Sequence, residues 1–155
     1  MNPAPTIYVL DANILVRLAD TTDAMHSTAD KATKALRAGG AVLRTLPQSL
    51  FEFWVVATRP REKNGLGLSV SDAENFVDLF VRAYWTIPDD PALLTYWRVL
   101  VVRYATLGKQ AHDARYVASM QAHGITHLLT FDTDFNRYTA EGITIVDPAS
   151  VTAPT

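Results

Sequence analysis

The fold is decided by a short apolar run that passes directly into polar residues, Thr6-Ile-Tyr-Val-Leu-Asp-Ala-Asn-Ile-Leu15. Ile7–Leu10 is rich in β-branched and aromatic residues and follows Pro5, which predicts a buried β-strand. Asp11 then stands at the carboxyl end of that strand. Because ligands of open α/β sheets bind at this edge, we interpret Asp11 either as a helix N-cap or as a reactive or metal-binding group.

The composition restricts the class of protein. With 155 residues, 48% of them hydrophobic, the chain can bury a full core, and we predict one domain over residues 1–148 and a disordered tail at 149–155. A formal charge of −2 and a pI near 6.0 do not fit a broadly basic nucleic-acid-binding surface. Any contact with nucleic acid must therefore be confined to one patch or site.

Two absences narrow the function further. The sequence has no cysteine, which excludes thiolate catalysis, Cys-based zinc sites and disulfides. It also has no signal-peptide pattern and no apolar run of about 18 residues. A cytoplasmic protein without a membrane span is expected.

Along the chain, strand-like apolar runs alternate with segments of helical periodicity. Further strands are predicted at residues 41–45, 127–130 and 142–146, with a short candidate at 85–87. Helices are predicted at residues 14–18, 26–37, 48–58 and 113–123, with another after a capping box at Ser71 and Glu74 and one around Trp97. Strands separated by helices form βαβ units, so the sequence predicts a three-layer α/β domain with a mostly parallel sheet.

One loop concentrates basic residues. Residues 59–69 contain Arg59, Arg61 and Lys63 with one acid and two glycines, which is typical of a mobile loop. These side chains could contact the phosphates of a nucleic acid, although an exposed basic loop is more often only solvated.

Four carboxylates are notable for their positions. Asp11 and Asp132 each follow a predicted strand, Glu52 lies in an otherwise apolar helix, and Asp113 heads the apolar face of its helix. Structural explanations exist for each: a cap for Asp11 or Asp113, a turn at Asp132, and an arginine partner, Arg17 or Arg44, for Glu52. The four explanations are weaker together than singly, because Asp11 and Asp132 both follow predicted strands and the two helical acids face inward, where a carboxylate without a partner costs several kcal/mol.

If the four acids converge, their mutual repulsion requires a cation. Oxygen ligands without cysteine or paired histidines suit Mg²⁺ or Mn²⁺ better than zinc. Such a centre fits phosphodiester hydrolysis, in which metals activate a water and neutralise charge on the phosphate and on the leaving oxygen.

Four segments resemble the successive motifs of PIN-domain ribonucleases and, more narrowly, of VapC-type toxins from bacterial toxin–antitoxin pairs. They are Val9-Leu-Asp-Ala-Asn-Ile-Leu15, Ser49-Leu-Phe-Glu-Phe-Trp-Val-Val-Ala-Thr-Arg-Pro60, His112-Asp-Ala-Arg-Tyr-Val-Ala118 and Leu128-Leu-Thr-Phe-Asp-Thr-Asp-Phe135. The similarity runs from about Ile7 to Pro148. It implies a PIN-like α/β/α domain.

By this resemblance, Asp11, Glu52 and Asp113 match the three core acids that hold Mg²⁺ or Mn²⁺. Asp132 matches a fourth, more variable acidic position, and Asp134 is the reserve if Asp132 points away. The polar positions that support the site by hydrogen bonds correspond to Asn13 and Thr130. The chain departs from the family at Ala12, where Thr or Ser is frequent.

The resemblance therefore implies a metal-dependent endoribonuclease, the toxin of a toxin–antitoxin pair. In such an enzyme a metal-bound water attacks the phosphorus in line, and no side chain acts as a covalent nucleophile. A homodimer and an antitoxin protein that blocks the acidic groove are also implied.

Two other functions start from an Asp after the first strand. A haloacid-dehalogenase-like phosphatase needs a second Asp two positions later, where this chain has Asn13. A receiver-like phosphoacceptor needs a Lys at the end of a late strand, but Lys109 precedes a helix. A catalytically silent binding module is the remaining alternative.

Overall fold

A sheet of four short parallel strands runs through the centre of a computed structural model that describes residues 2–154. The strands are β1 (Ile7–Leu10), β2 (Val42–Arg44), β3 (His127–Leu129) and β4 (Thr144–Val146), in the spatial order β2-β1-β3-β4. After β1 the chain forms β2 on one side of β1, and the later strands β3 and β4 lie on the other side. This reversal creates a crevice beside the carboxyl end of β1, where ligands of such sheets bind.

Six α-helices of the described residues flank the sheet. They are α1 (Ala12–Ala19), α2 (His26–Ala38), α3 (Pro47–Thr58), α4 (Val70–Ala83), α5 (Leu93–Arg103) and α6 (Gln110–Ala122). Short 3-10 helices follow at Arg61–Lys63, Thr133–Glu141 and Pro148–Ser150. None of the helices in residues 2–154 is both long and apolar enough to cross a membrane.

Both faces of the sheet are buried, which explains the continuous apolar runs in its strands. Val9 and Leu128 point into a core formed with α5 and α6, whereas Leu10 and Leu129 point into a second core formed with α1, α3 and α4. Successive residues of a strand face opposite sides of the sheet. The predicted three-layer α/β class with a parallel sheet is thus confirmed.

Several predicted elements differ from the structure. The cap of α4 is Ser69, whose Oγ accepts from the Asp72 backbone at 3.0 Å, so the helix begins before the predicted capping box at Ser71. α6 begins at Gln110, three residues before the predicted start, and Asp113 lies in its first turn as expected. The candidate strand at 85–87 is reduced to a single parallel bridge between Thr86 and Thr45.

The basic loop after α3 is tied back to the helix end, unlike the mobile loop predicted from its composition. Its backbone N–H groups at Leu66 and Leu68 donate to carbonyls in the last turn of α3, each at 2.9 Å. Gly65 packs so closely that a Cβ atom there would lie 1.9 Å from the Arg59 carbonyl oxygen. Glycine is therefore the residue that permits this closure.

The predictions for the domain limits concern the two ends of the chain. Met1 and Thr155 lie outside the described residues. Pro148 is buried within the last 3-10 helix, and Val151 packs partly buried against the core that contains Leu10. A single domain over residues 1–148 and disorder at 149–155 stay predictions.

Candidate metal centre

A cleft of about 610 Å³ opens beside the carboxyl end of β1, between α1, α3 and the loop after α3. Its lining includes all four predicted acids, Asp11, Glu52, Asp113 and Asp132. A neighbouring cleft of about 360 Å³ shares the last three of these and adds Asp134. The fold thus brings together acids that lie more than 100 residues apart in sequence.

Asp11 is held at the floor of the cleft. Only 6% of it is exposed, and its Oδ2 accepts a hydrogen bond from the Thr130 hydroxyl at 2.7 Å. Asp11 occupies the N-cap position of α1, but its side chain makes no capping hydrogen bond, so a cap does not explain it. Burial, with a smaller contribution from the charge of Glu52, raises the pKa of Asp11 to about 6, against the opposing effect of the Thr130 hydrogen bond.

Thr130 joins the ends of β1 and β3. Besides donating to Asp11, its hydroxyl oxygen accepts from the Asn13 amide at 3.1 Å and from the Asp132 backbone at 3.0 Å. The Asn13 side-chain oxygen in turn accepts from the Phe131 backbone at 3.4 Å. The two predicted supporting residues, Asn13 and Thr130, therefore lie beside Asp11 in one hydrogen-bonded group.

Glu52 is held by two neutral donors. Gln48, one turn earlier on α3, donates to Oε1 at 2.8 Å, and the Tyr116 hydroxyl donates to Oε2 at 3.1 Å. The Tyr116 oxygen also accepts from the Ala12 backbone at 3.2 Å, and the Gln48 amide donates to the His112 carbonyl at 2.8 Å. The carboxylate is therefore oriented without being neutralised.

The arginine partners considered for Glu52 are engaged elsewhere. Arg17 forms an ion pair with Asp23, and Arg44 donates to the Leu43 carbonyl and stacks over the Trp85 ring. Among residues 2–154, Glu52 forms no ion pair. Its charge is available to a cation from outside the chain.

The remaining three acids lie close enough to share an ion. Asp113, Asp132 and Asp134 each present an oxygen within 4.8 Å of the others. Burial, followed by the charges of Asp132, Glu52 and Asp134, raises the pKa of Asp113 to about 6. Asp132 also accepts from the Asp134 backbone at 2.8 Å, so the predicted turn at Asp132 exists together with the acid cluster. Oxygen ligands with uncompensated negative charge fit Mg²⁺ or Mn²⁺.

Sequence reasoning missed Gln48 and Tyr116. A weak signal was present for Gln48, which precedes Glu52 by four residues and therefore shares its helix face. Tyr116 was assigned to the apolar stripe of α6, and its ring is indeed buried. Only its hydroxyl takes part in the site, through a contact that spans 64 residues of sequence.

The three basic side chains of the loop after α3 differ in their surroundings. Arg59 donates to the Asn64 carbonyl at 3.1 Å, and Arg61 lies 3.9 Å from Asp20, which lines the cleft. Lys63 is exposed. The loop itself contributes Asn64, Gly65 and Leu66 to the cleft wall, so its basic residues stand near the rim.

The parallel sheet and the acids at its carboxyl edge agree with the comparison to known families. Residues 8–141 match the PIN domain, so the chain belongs to the PIN domain family. No curated protein matches the chain. Its neighbours among solved structures include VapC toxins of VapBC toxin–antitoxin systems.

Three of these structures illustrate the likeness. VapBC2 from Rickettsia felis, bound to a DNA fragment from its promoter, is 16% identical over 92% of this chain and 98% of its own, with a TM-score of 0.65. VapC20 from Mycobacterium tuberculosis, a toxin that cleaves the sarcin–ricin loop, is 24% identical over 90% and 97%, with a TM-score of 0.61. FitAcB from Neisseria gonorrhoeae is 12% identical over 92% and 99%, with a TM-score of 0.65. At these identities the likeness concerns the fold.

Proposed function

We propose that this protein is an endoribonuclease that hydrolyses RNA phosphodiester bonds with Mg²⁺ or Mn²⁺ as cofactor. The observation that carries the proposal is the meeting of Asp11, Glu52, Asp113 and Asp132 in one cleft, with Asp134 beside them. Membership of the PIN family, whose members are typically nucleases, supports it. So does the neighbour VapC20, which is named as a toxin that cleaves the sarcin–ricin loop.

The residues of the chain would act as ligands and supports of the metal. A bound Mg²⁺ or Mn²⁺ supplies water activation and neutralises charge on the phosphate. Asp11, Glu52, Asp113 and Asp132 would hold it, with Asp134, whose carboxylate oxygen lies within 4.8 Å of those of Asp113 and Asp132, as a further ligand. Thr130 and Asn13 fix Asp11, while Gln48 and Tyr116 fix Glu52, and such supporting contacts keep ligand oxygens in place.

Cleavage of a single-stranded RNA by the purified protein tests this proposal. We expect cleavage in Mg²⁺ or Mn²⁺, none in chelator, and a loss of more than about 100-fold in Asp11→Asn, because even supporting residues of metal sites are worth 10- to 100-fold. Asp72→Asn, an exposed acid on α4, is the matched control and should cleave normally. Cleavage that persists in chelator, or in a variant with all four acids neutralised, contradicts the proposal.

We further propose that the enzyme is a toxin that is restrained by a cognate antitoxin protein in the cytoplasm and forms a homodimer. The neighbour VapBC-5 from Mycobacterium tuberculosis, named as a member of the VapBC family of toxin–antitoxin systems, supports the existence of such a partner. The partner would block the acidic cleft and so keep RNA from the metal. The basic loop residues Arg59, Arg61 and Lys63 would contact RNA at the rim of this cleft.

Expression without a partner tests the toxin role. Production of the wild type alone should arrest growth, whereas Asp11→Asn should be tolerated at the same protein level. Inspection of the adjacent reading frame should identify a small partner gene whose co-expression restores growth. If the wild type is harmless in cells while it cleaves RNA well in vitro, the toxin role is wrong.

A further inference from the structure

Arg17 is the basic side chain of the cleft. Among the described residues that line the cleft, it is the one cation, and six carboxylates line the same space. Those carboxylates are Asp11, Asp20, Asp23, Glu52, Asp113 and Asp132. The lining therefore offers an entering RNA strand an excess of negative charge and a single arginine, while Arg61 stands at the rim with its Nη1 3.9 Å from Asp20 Oδ2.

The position of Arg17 separates it from the acids that would hold metal. It follows Asp11 by six residues, about 9 Å along the axis of α1. Its guanidinium carbon lies 6.0 Å from the centre of the Phe131 ring, and Phe131 stands between Thr130 and Asp132 in the sequence. Arg17 thus lies along the cleft from the candidate metal centre and next to the carboxyl end of β3.

The guanidinium is held from one side and open on another. Its Nη1 forms an ion pair with Asp23, and the side chain remains 36% exposed. Asp23 is itself anchored by the Met25 backbone at 2.7 Å. A guanidinium carries five N–H donors in a planar fork, so contact with one carboxylate leaves donors for a second anion.

Charge decides which anion this is. A phosphate placed beside Arg17 would face Asp20 and Asp23, whose charges repel an anion, and Arg17 is the one cation among the described lining residues that can offset them. The guanidinium fork matches phosphate oxygens in geometry as well as in charge.

On the basis of the proposed ribonuclease function, we infer that Arg17 binds an RNA phosphate next to the phosphate at which the strand is cleaved. Asp23 holds the guanidinium from the opposite edge. Arg17 is thus a substrate-binding residue that sets the path of the strand past the metal centre, and its contribution falls on KM rather than on kcat.

Kinetics on a single-stranded RNA oligonucleotide at several salt concentrations test the inference. Arg17→Met should raise KM about 10-fold or more with little change in kcat, because bonds to charged groups are strong. The slope of log(kcat/KM) against log[salt] should become shallower by about 0.7, the value for one lost phosphate contact on a single strand. Arg17→Lys should keep the slope and raise KM only a few-fold.

Two further variants separate binding from structure. Asp23→Asn breaks the same ion pair but keeps the guanidinium, so the salt slope should stay that of the wild type. Arg82→Met breaks a comparable ion pair with Asp78 on the exposed face of α4 and should change neither KM nor the slope. Melting temperatures measured in parallel report any general loss of stability.

The outcomes distinguish the inference from the function on which it rests. If the wild type cleaves RNA but Arg17→Met has the same KM and slope, the inference is wrong and the ribonuclease function stands. If Arg17→Met and Asp23→Asn lose activity and stability equally, Arg17 is only a structural partner of Asp23. If Arg17→Met does not fold, Arg17→Gln takes its place, and an unchanged KM and salt slope in that variant overturn the inference. A wild type without metal-dependent cleavage overturns both proposals.

Discussion

Asp11 and Asp113 have similarly raised pKa values, although their surroundings differ. Burial raises the pKa of each to about 6. Asp11 is almost fully enclosed, and its Oδ2 is fixed by Thr130. Asp113 is half-buried, accepts no hydrogen bond from residues 2–154, and faces the charges of Asp132, Glu52 and Asp134. A hydrogen bond within the fold holds the Asp11 carboxylate in place. The Asp113 carboxylate is instead repelled by neighbouring carboxylates, and a bound cation would relieve this repulsion.

The largest expected effect is a change in the free energy of unfolding with pH, measured in chelator so that no metal is bound. Both carboxyl groups release their proton near pH 3.8 when unfolded and near pH 6 when folded. The folded state therefore binds more protons between these values, and these two groups lower the free energy of unfolding as pH rises from about 4 to about 7. For the buried Asp11 this amounts to roughly 3 kcal/mol. Urea unfolding of wild type and Asp11→Asn at both pH values measures it.

The variants should respond differently to salt. Asp11→Asn should gain stability over the wild type as pH rises, and added NaCl should leave this gain nearly unchanged because burial is not screened. Asp113→Asn should show a smaller gain, since the half-exposed group is partly screened, and salt should reduce it further. An equal response of both variants to salt would remove the distinction between the two acids.

The next-largest expected effect is the change in stability when a metal ion binds. In chelator, Asp113→Asn should be as stable as the wild type or more stable, because the amide relieves repulsion among the acids. With Mg²⁺ or Mn²⁺ the wild type should gain about 2.7 kcal/mol at a hundredfold excess over Kd, and the variant less. Thermal melts over a metal series measure this reversal. Clear destabilisation of the variant in chelator, with no metal-dependent gain in the wild type, would mean that Asp113 is structural.

Glu52→Gln does not serve as an equivalent test. Both of its carboxylate oxygens accept from donors, Gln48 and Tyr116. The amide group of a glutamine would place its own donor against one of them. Destabilisation of this variant would therefore report on hydrogen bonding as well as on charge.

The parts of the fold that could be predicted are those with a periodic signal. The strand Ile7–Leu10 and the acids that follow β1 and β3 were found because strands buried on both faces are apolar throughout and end abruptly at polar residues. The start of α4 was misplaced because Ser69 and Ser71 each precede an acid by three residues, so both fit a cap. Local sequence does not separate the two.

The site could be predicted in its acids but not in their supports. Glu52 and Asp113 were identified by a charge on an apolar helix face. Their environment depends on contacts such as that of Tyr116 with Glu52, between residues far apart in sequence, which no local pattern records. The choice between Asp132 and Asp134 could not be made either, because the turn places both within reach of Asp113.

The smallest expected effect tests the link between Asp11 and Glu52. The Tyr116 hydroxyl forms this link, since it donates to Glu52 and accepts from the Ala12 backbone next to Asp11. Tyr116→Phe leaves that backbone N–H without its acceptor and should lower the free energy of unfolding by about 1–2 kcal/mol. It should also weaken Mg²⁺ binding by about 10-fold, because Glu52 loses one of its two supports. Urea unfolding in chelator and a metal titration followed by thermal melting measure the two effects.

Tyr138→Phe is the matched control for this variant. Tyr138 is as fully buried as Tyr116, but no hydrogen bond joins its hydroxyl to a backbone group or to a carboxylate of the cleft among residues 2–154. Removing it leaves no backbone donor stranded, so stability should change less than in Tyr116→Phe, and metal affinity should not change. If Tyr116→Phe loses stability but binds metal as tightly as the wild type, the hydroxyl only satisfies the backbone of α1. Glu52 would then be held by Gln48 alone, and the surroundings of Asp11 and of Glu52 would be energetically independent.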